Sequence, residues 1–514
     1  MAEASGPPHE ADRPEGSDPD PIEVQVTAGA IASTCEEMGA VLIRSAHSAN
    51  IKERRDCSAA IFDPDGEMVM QAEHIPVHLG SMPASVRAVV GKPHVPGVSW
   101  FLNDPYSGGT HLPDITVVTP AFAGERLIGF AANRAHHADV GGSVPGSMPA
   151  DSTTIDDEGV VIPPRILDEE SILEVVTLMR QPEQRRADLR AQLAANRAGV
   201  ARLEAMAADR GADELAAAMG DLITYAEHRT RAEIERIPDG TYRAVDVLEA
   251  RQGDIELRLE VTVAGSGVRF DFTGTSGPDS GNLNCPRSVT ESACLFAIRV
   301  LTDPDIPSSS GAWRPVEITV PDGCLLSARS PSAVVAGNVE TSSRVADLCL
   351  TAFGHAQGQG TMNNLTLGND HFTYYETLGG GQAASGYADG PSAVHVAMSN
   401  TLNTPIEAME TEFPLRAAEY SIRRGSGGEG TNRGGDGLIR EITATEPMGF
   451  ALLTERRRHA PAGADGGEAG RMGRNLLMRK DGSGEELEPK ASGRLEPGEG
   501  LRIETPGGGG YGKP

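Results

Sequence analysis

The sequence is short of aromatics, of positive charge and of paired cysteines, and it lacks several familiar catalytic signatures. Lys and Arg number 45 against 73 Asp and Glu, a formal charge of −28. Such a surface repels nucleic acid and anionic membrane, which attract basic proteins; the plainest account of it is a solvated acidic skin. The six cysteines (Cys35, Cys57, Cys285, Cys294, Cys324, Cys349) are widely spaced and form no C-x-x-C pair. That spacing fits reduced thiols in the cytoplasm better than a disulfide framework. The opening MAEASGPPHEADRPEGSDPDP has neither the basic nor the apolar region of a signal peptide. No apolar run is expected to approach the ~18–20 residues of a membrane span. There is no G-x-x-x-x-G-K-[ST] phosphate loop and no G-x-S-x-G nucleophile elbow. The glycine runs lack the strand-then-helix context of a dinucleotide fold.

What is present begins with glycine. Aromatics are only 4% of the chain, while glycines number 61, implying many tight turns and backbone packed closely on ligands or other backbone. A length of 514 residues suggests two to four domains. Residues 1–20 offer little to bury and are expected to be disordered. Val24, Ile31, Met38, Val41 and Leu42 recur at roughly helical spacing, so a helix is expected after Pro21. Two apolar runs around Asp63-Pro64-Asp65-Gly66 read as a β-hairpin. Residues 183–236 read as two helices divided at Gly211, an antiparallel helical hairpin. From Gly240 strand patterns dominate, and the last third interleaves strands with GGGQAASG, SGGEGTNRGGDG and TPGGGGYG. The expected fold is α+β, a mixed multi-domain protein with β-sheets, a helical hairpin and glycine-rich loops. Its expected divisions are 21–180 around a metal site, 181–238 as the hairpin, and 239–514 as a β-rich region.

Two nearby segments carry most of the chemistry, NDPYSGGTHLPDITVV and RAHHADVGG. The first supplies His111 and Asp114 as an H-x-x-D pair; the second supplies His136, His137 and Asp139. Imidazole and carboxylate from separate loops are ligands for Zn, Mn or Fe. Against that, an isolated His is more often a hydrogen-bonded core or surface residue, and Asp often caps a turn. Upstream, KERRD (Lys52 to Asp56), His74 and His78 are further candidates, the two histidines also as groups that orient ligands.

Several segments are similar to signatures of the hydantoinase B/oxoprolinase family. They are RRDCSAAIFDPDGEMVMQAEHIPVHLGSMP, NDPYSGGTHLPDITVVTP, RAHHADVGGSVPGSMP, EGVVIPP, RADLRAQLAANR, DFTGTS, GNVETSSRVAD, PIEAMETEFP, GSGGEGTNRGGDG and the closing TPGGGGYG. The resemblance runs from about Pro21 to the end. It implies a divalent metal (Zn, Mn or Fe) held by Asp56, His111, Asp114 and His136. It also implies a separate hydantoinase A-type subunit that binds ATP and Mg, in a heterotetramer, and an ATP-dependent hydrolase of cyclic amides such as 5-oxoproline, hydantoin or a lactam. The ketone carboxylase branch of the family is the alternative activity; a non-catalytic scaffold is the alternative of another class. A general base is needed beside the attacking water, and His137, Asp139 and Glu158 are the candidates by adjacency.

Overall fold

The structure, a computed structural model, describes residues 21–72 and 75–514. The acidic segment 1–20 and His74 lie outside the described residues.

The expected first helix is α1 (Pro21–Ser45), followed by the short α2 (Ala49–Lys52). The Asp63–Gly66 turn joins β1 (Cys57–Phe62) to β2 (Met68–Ala72) as an antiparallel hairpin. After α3 (His78–Val90) come β3 (Ser99–Leu102), β4 (Asp114–Ala123), β5 (Arg126–His136) and β6 (Arg165–Leu167). These six strands form one sheet in the order β2-β1-β5-β4-β3-β6. Alternate side chains of a strand point to opposite faces, and here both faces are covered. Ala59, Ile61 and Ala131 pack with α1, while Ala60, Phe62 and Ala132 pack with α3 residues Met82, Val86 and Val89. That is why β1 is apolar throughout except Ser58 and buried along its length.

The helical hairpin is present as α5 (Pro182–Arg210) and α6 (Ala212–Ile234), preceded by α4 (Glu169–Val176). It does not stand apart: Leu203, Leu215 and Met219 share the core that α1 forms on the sheet. Gln192 and Asn196 of α5 reach the sheet backbone, bonding the carbonyls of Ile115 and Val117. Among the described helices, α1 alone is long and apolar enough to cross a membrane, which corrects the expectation that no run approaches this. Val24, Ile31, Cys35 and Met38 nevertheless lie in the core on this sheet, the place of a core helix.

A second sheet, β10-β9-β8-β7, contains β7 (Gly240–Ala250), β8 (Gly253–Ala264), β9 (Gly267–Asp271) and β10 (Val316–Thr319). It shares one core with α7 (Arg287–Leu301) and α9 (Ser342–Ala352); the one-turn α8 (Ser310–Trp313) lies between them in sequence. The C-terminal part has β11 (Asn364–Gly368), β12 (Thr373–Glu376), α10 (Ile406–Glu412), β13 (Leu415–Arg423), β14 (Gly437–Ala444), β15 (Met448–Leu453), β16 (Arg474–Met478), β17 (Gly484–Leu487), β18 (Lys490–Leu495) and β19 (Gly500–Glu504). They form two sheets, β12-β11-β15-β18 and β13-β14-β19-β16-β17, which bury one apolar core.

The closing glycine run is neither linker nor simple turn. The amides of Gly507 and Gly510 bond the carbonyls of Arg471 and Glu468, and those of Gly508 and Tyr511 bond Gly435 and Asn432. Each neighbour is met again after three residues, as in an extended helix with three residues per turn. A Cβ at Gly507, Gly508, Gly509 or Gly510 would run into the carbonyl of Ser426, Gln382, Ala462 or Glu429 respectively. Backbone fills every side of this segment, so only glycine fits.

Candidate metal centre

The site sits at one edge of the first sheet. β4 begins at Asp114 and β5 ends at His136, and the two residues are cross-strand partners. The amide of His136 bonds the carbonyl of Asp56, which immediately precedes β1. His111 is brought in by a tight turn closed from the Asp114 amide to its own carbonyl. His78 opens α3. Sequence pattern places three strand ends side by side, so Asp56, Asp114 and His136 converge although they lie up to 80 residues apart.

These side chains line one buried cavity with Asn338, Val339, Met362, Tyr375, Met398, Ser399 and Thr401. The room left inside is about 20 Å³, enough for one water or one ion. Asp114 is held by Thr110, whose hydroxyl donates to Oδ2 at 2.6 Å. His111 Nε2 lies 3.3 Å and His78 Nε2 3.6 Å from the same oxygen. His78 Nδ1 is tied to Ser58 Oγ at 2.8 Å. The His136 ring stacks on Tyr375, centroids 4.7 Å apart and planes 7° from parallel. Its Nδ1 accepts from the Asn50 Nδ2 amide at 3.1 Å; a cation on Nε2 would require the Asn50 amide turned over, its oxygen accepting from Nδ1–H.

Burial pushes the Asp56 carboxyl up to about 6, with Asp114 adding to the effect and Arg54 opposing it. Burial would also raise Asp114, but His111 and His78 overcome it and hold that carboxyl well below its usual range. Burial, reinforced by His111, drives His136 down and keeps it neutral. The fully buried Arg54 and Arg134 balance the two carboxylates in number. Arg54 lies over the Tyr375 ring at 4.5 Å, and Arg134 ties the sheet to α3 through Thr116, Ser81 and Ser85.

The donor chemistry suits a divalent cation. Among the described residues, no three His, Cys, Asp or Glu side chains stand as a preformed metal cage; instead His111 and His78 close on Asp114. Yet both ring nitrogens of His111, Asp114 Oδ1 and His136 Nε2 are buried without a hydrogen-bond partner. Orphaned buried polar atoms cost about 1–3 kcal/mol each, and a cation would satisfy Asp114 Oδ1, one nitrogen of His111 and His136 Nε2 together.

The three candidate bases lie outside the cavity, which corrects the adjacency argument. His137 follows His136 on the strand and turns to the opposite side, where Nε2 meets Gln192 at 2.9 Å. Asp139 accepts the amides of Gly141 and Gly146 and pairs with Arg180 at 3.0 Å, pinning a turn. Glu158 accepts from Ser152 and from the amides of Val334 and Val335. Sequence pattern also missed Asn338, Tyr375 and Ser399, which lie more than 200 residues from the metal motifs. Ser399 Oγ bonds His395 Nδ1 at 2.6 Å, but burial and Arg54 push His395 down to about 4, making it a poor proton acceptor.

An α+β scaffold that gathers histidines and aspartates at a sheet edge defines a protein with a buried candidate cation centre. The chain belongs to the hydantoinase B/oxoprolinase family, whose model matches residues 20–514. It is 39% identical to 5-oxoprolinase 1 of Arabidopsis thaliana over 96% of this chain and 42% of that one. It is 29% identical to one component of a putative D-/L-hydantoinase of Pseudomonas sp., covering 96% of this chain and 90% of that one. The chain thus spans less than half the length of the 5-oxoprolinase it matches. Among solved structures, the ATP-dependent caprolactamase of Pseudomonas jessenii superposes with a TM-score of 0.90 at 25% identity, over 97% of this chain and 92% of that one. An acetone carboxylase, at 17% identity and a TM-score of 0.87 over 96% and 76% of the two chains, shares the fold.

Proposed function

We propose that this chain is the metal-binding catalytic part of an ATP-dependent hydrolase of cyclic amides. The observation that carries the reading is the cavity of unpaired, buried histidine and aspartate donors in a chain related to 5-oxoprolinase and caprolactamase. Asp56, His111, Asp114 and His136 would hold the cation. A divalent cation so held supplies a water of lowered pKa and a Lewis acid for the amide oxygen.

The chain's own residues prepare that chemistry. Thr110 fixes Asp114, and Asn50 with Tyr375 fixes the His136 ring, so these two donors are held in place while His111 would turn from Asp114 toward the cation. Because two arginines already balance two carboxylates, a bound dication leaves the pocket positive and suited to an anionic, phosphate-activated amide. An unstrained amide is a poor electrophile. ATP bound by a hydantoinase A-type partner, in a heterotetramer, would phosphorylate the ring oxygen and release ADP. Water would then add to that carbon and the C–N bond would break, nitrogen leaving as the amine and the carbonyl remaining as a carboxyl phosphate; a second water would release phosphate and leave the carboxylate.

The test starts with elemental mass spectrometry on the purified chain and on His111→Ala. About one zinc, manganese or iron per chain is expected in the wild type, with at least roughly a tenfold loss in the variant. Metal retained by His111→Ala, or absent from both, defeats the site. Reconstitution with the partner, ATP and 5-oxoproline, hydantoin or caprolactam should then give ring opening. Turnover of a ketone that requires bicarbonate would instead assign the carboxylase activity.

A further inference from the structure

Asn338 belongs to none of the motifs whose residue types point to metal binding, yet it lines the cavity and is only 3% exposed. Its Oδ1 has no hydrogen-bond partner. The residue sits on a five-residue π-helical turn, Gly337–Thr341, leading into α9, and such widened turns occur often at functional sites. The turn is held from several sides. A Cβ at Gly337 would strike the Asn284 carbonyl, so glycine permits the close approach. Thr341 Oγ1 donates to the Leu283 carbonyl at 2.7 Å and Ser343 Oγ to the Val339 carbonyl at 2.8 Å. The Ser342 hydroxyl bonds the Asn338 carbonyl itself. All this support orients a side chain whose oxygen then meets no donor.

The composition of the cavity says what that oxygen awaits. Asp114 Oδ1, His136 Nε2, the nitrogens of His111 and Asn338 Oδ1 are all unpartnered and surround room for one small species. With one nitrogen of each neutral imidazole protonated, Asp114 Oδ1, Asn338 Oδ1 and one nitrogen of His111 remain as acceptors, and a water has only two protons to give. A cation can, and a neutral amide oxygen is an accepted donor to one. We propose that Asn338 is a further oxygen donor of this cation site, delivered by the π-turn from the α9 side to the ligands of the first sheet. The assignment rests on the reading of the cavity as a cation site.

The experiment uses the full chain, stripped of metal and titrated with Co(II) against a competing chelator, for wild type, Asn338→Leu and Asn338→Asp. Asn338→Leu should weaken Co(II) binding about 10- to 100-fold and alter the visible d–d absorption band. Asn338→Asp restores an oxygen donor with added charge and should bind at least as tightly as wild type, with a changed band. Thermal melting identifies a variant that has failed to fold; if Asn338→Leu fails, Asn338→Asp decides by itself. Wild-type affinity and an unaltered band in the folded variants would overturn the role of Asn338 alone. Failure of the wild type to bind Co(II) would overturn the cation site, and with it this assignment.

Discussion

Two regions of this molecule are equally buried and treat their charges in opposite ways. At the junction of the second sheet with the C-terminal sheets, buried charges are paired with opposite charges. Arg344 bridges Asp246 at 3.2 Å and Glu455 at 3.0 Å, Arg456 bridges Asp246 at 2.9 Å, and Lys490 pairs with Glu455. Glu249 accepts the amides of Arg457, Arg458 and His459. In the cavity at the first sheet's edge, histidine and aspartate atoms are left without partners. The first arrangement uses its charge to hold two parts of the chain together. The second leaves it open, as a site for something that arrives later must.

The contrast breaks most sharply at Glu455. Removing it by Glu455→Ala leaves Lys490 without an anion in the interior and Arg344 with Asp246 alone, and should cost about 3–5 kcal/mol, read by denaturant or thermal unfolding. The comparable change in the cavity, His111→Gln, removes only the contact of His111 Nε2 with Asp114 Oδ2 at 3.3 Å and should move stability by about 1 kcal/mol while bound metal collapses. Equal destabilisation by the two substitutions would erase the distinction. Next in size is Gly508→Ala, which pushes a methyl against the Gln382 carbonyl. Such overpacking costs about 1–3 kcal/mol, and limited proteolysis near the C-terminus should speed up while metal content stays at wild-type level. Unchanged proteolysis would mean that the glycine bundle yields easily.

How much was legible in the sequence follows from what a local pattern can carry. The first hairpin and α5–α6 were legible because turn residues and apolar spacing are local signals. His111, Asp114 and His136 stood out as types, and Asp56 came only through family resemblance. Asn338 lies within the family signature GNVETSSRVAD, but nothing in that segment ties it to the cavity: Asn338, Tyr375 and Ser399 arrive from other sheets and turns, and no spacing rule links them to residue 114. His137 lies outside the cavity for a simpler reason. Adjacent residues on a strand face opposite ways, so standing next to a cavity residue argues against sharing its cavity. The glycine runs showed their abundance but not their threefold neighbours, which exist only once five distant segments have met.

The smallest effect concerns Glu158, which tests whether a buried carboxyl outside the cavity behaves as scaffold. Burial pushes it up to about 8, against the lowering effect of the Val335 and Val334 amides and the Ser152 hydroxyl. A carboxyl whose pKa is higher in the folded state favours folding in its protonated form. That contribution is complete below about 4.5 and is lost as pH rises through about 8. Wild type should therefore lose stability relative to Glu158→Gln by about 1 kcal/mol between pH 7 and pH 8, the limit being about 1.4 kcal/mol per unit. Oε1 accepts from Ser152 and from the Val334 and Val335 amides, and Oε2 shares only the Val334 amide at 3.2 Å, so a glutamine oxygen can take the place of Oε1 and bound metal should be unaffected. Parallel stability curves for the two proteins would mean that the three donors hold the carboxylate ionised. A loss of metal in Glu158→Gln would instead join this residue to the cavity and blur the line between the two kinds of buried charge.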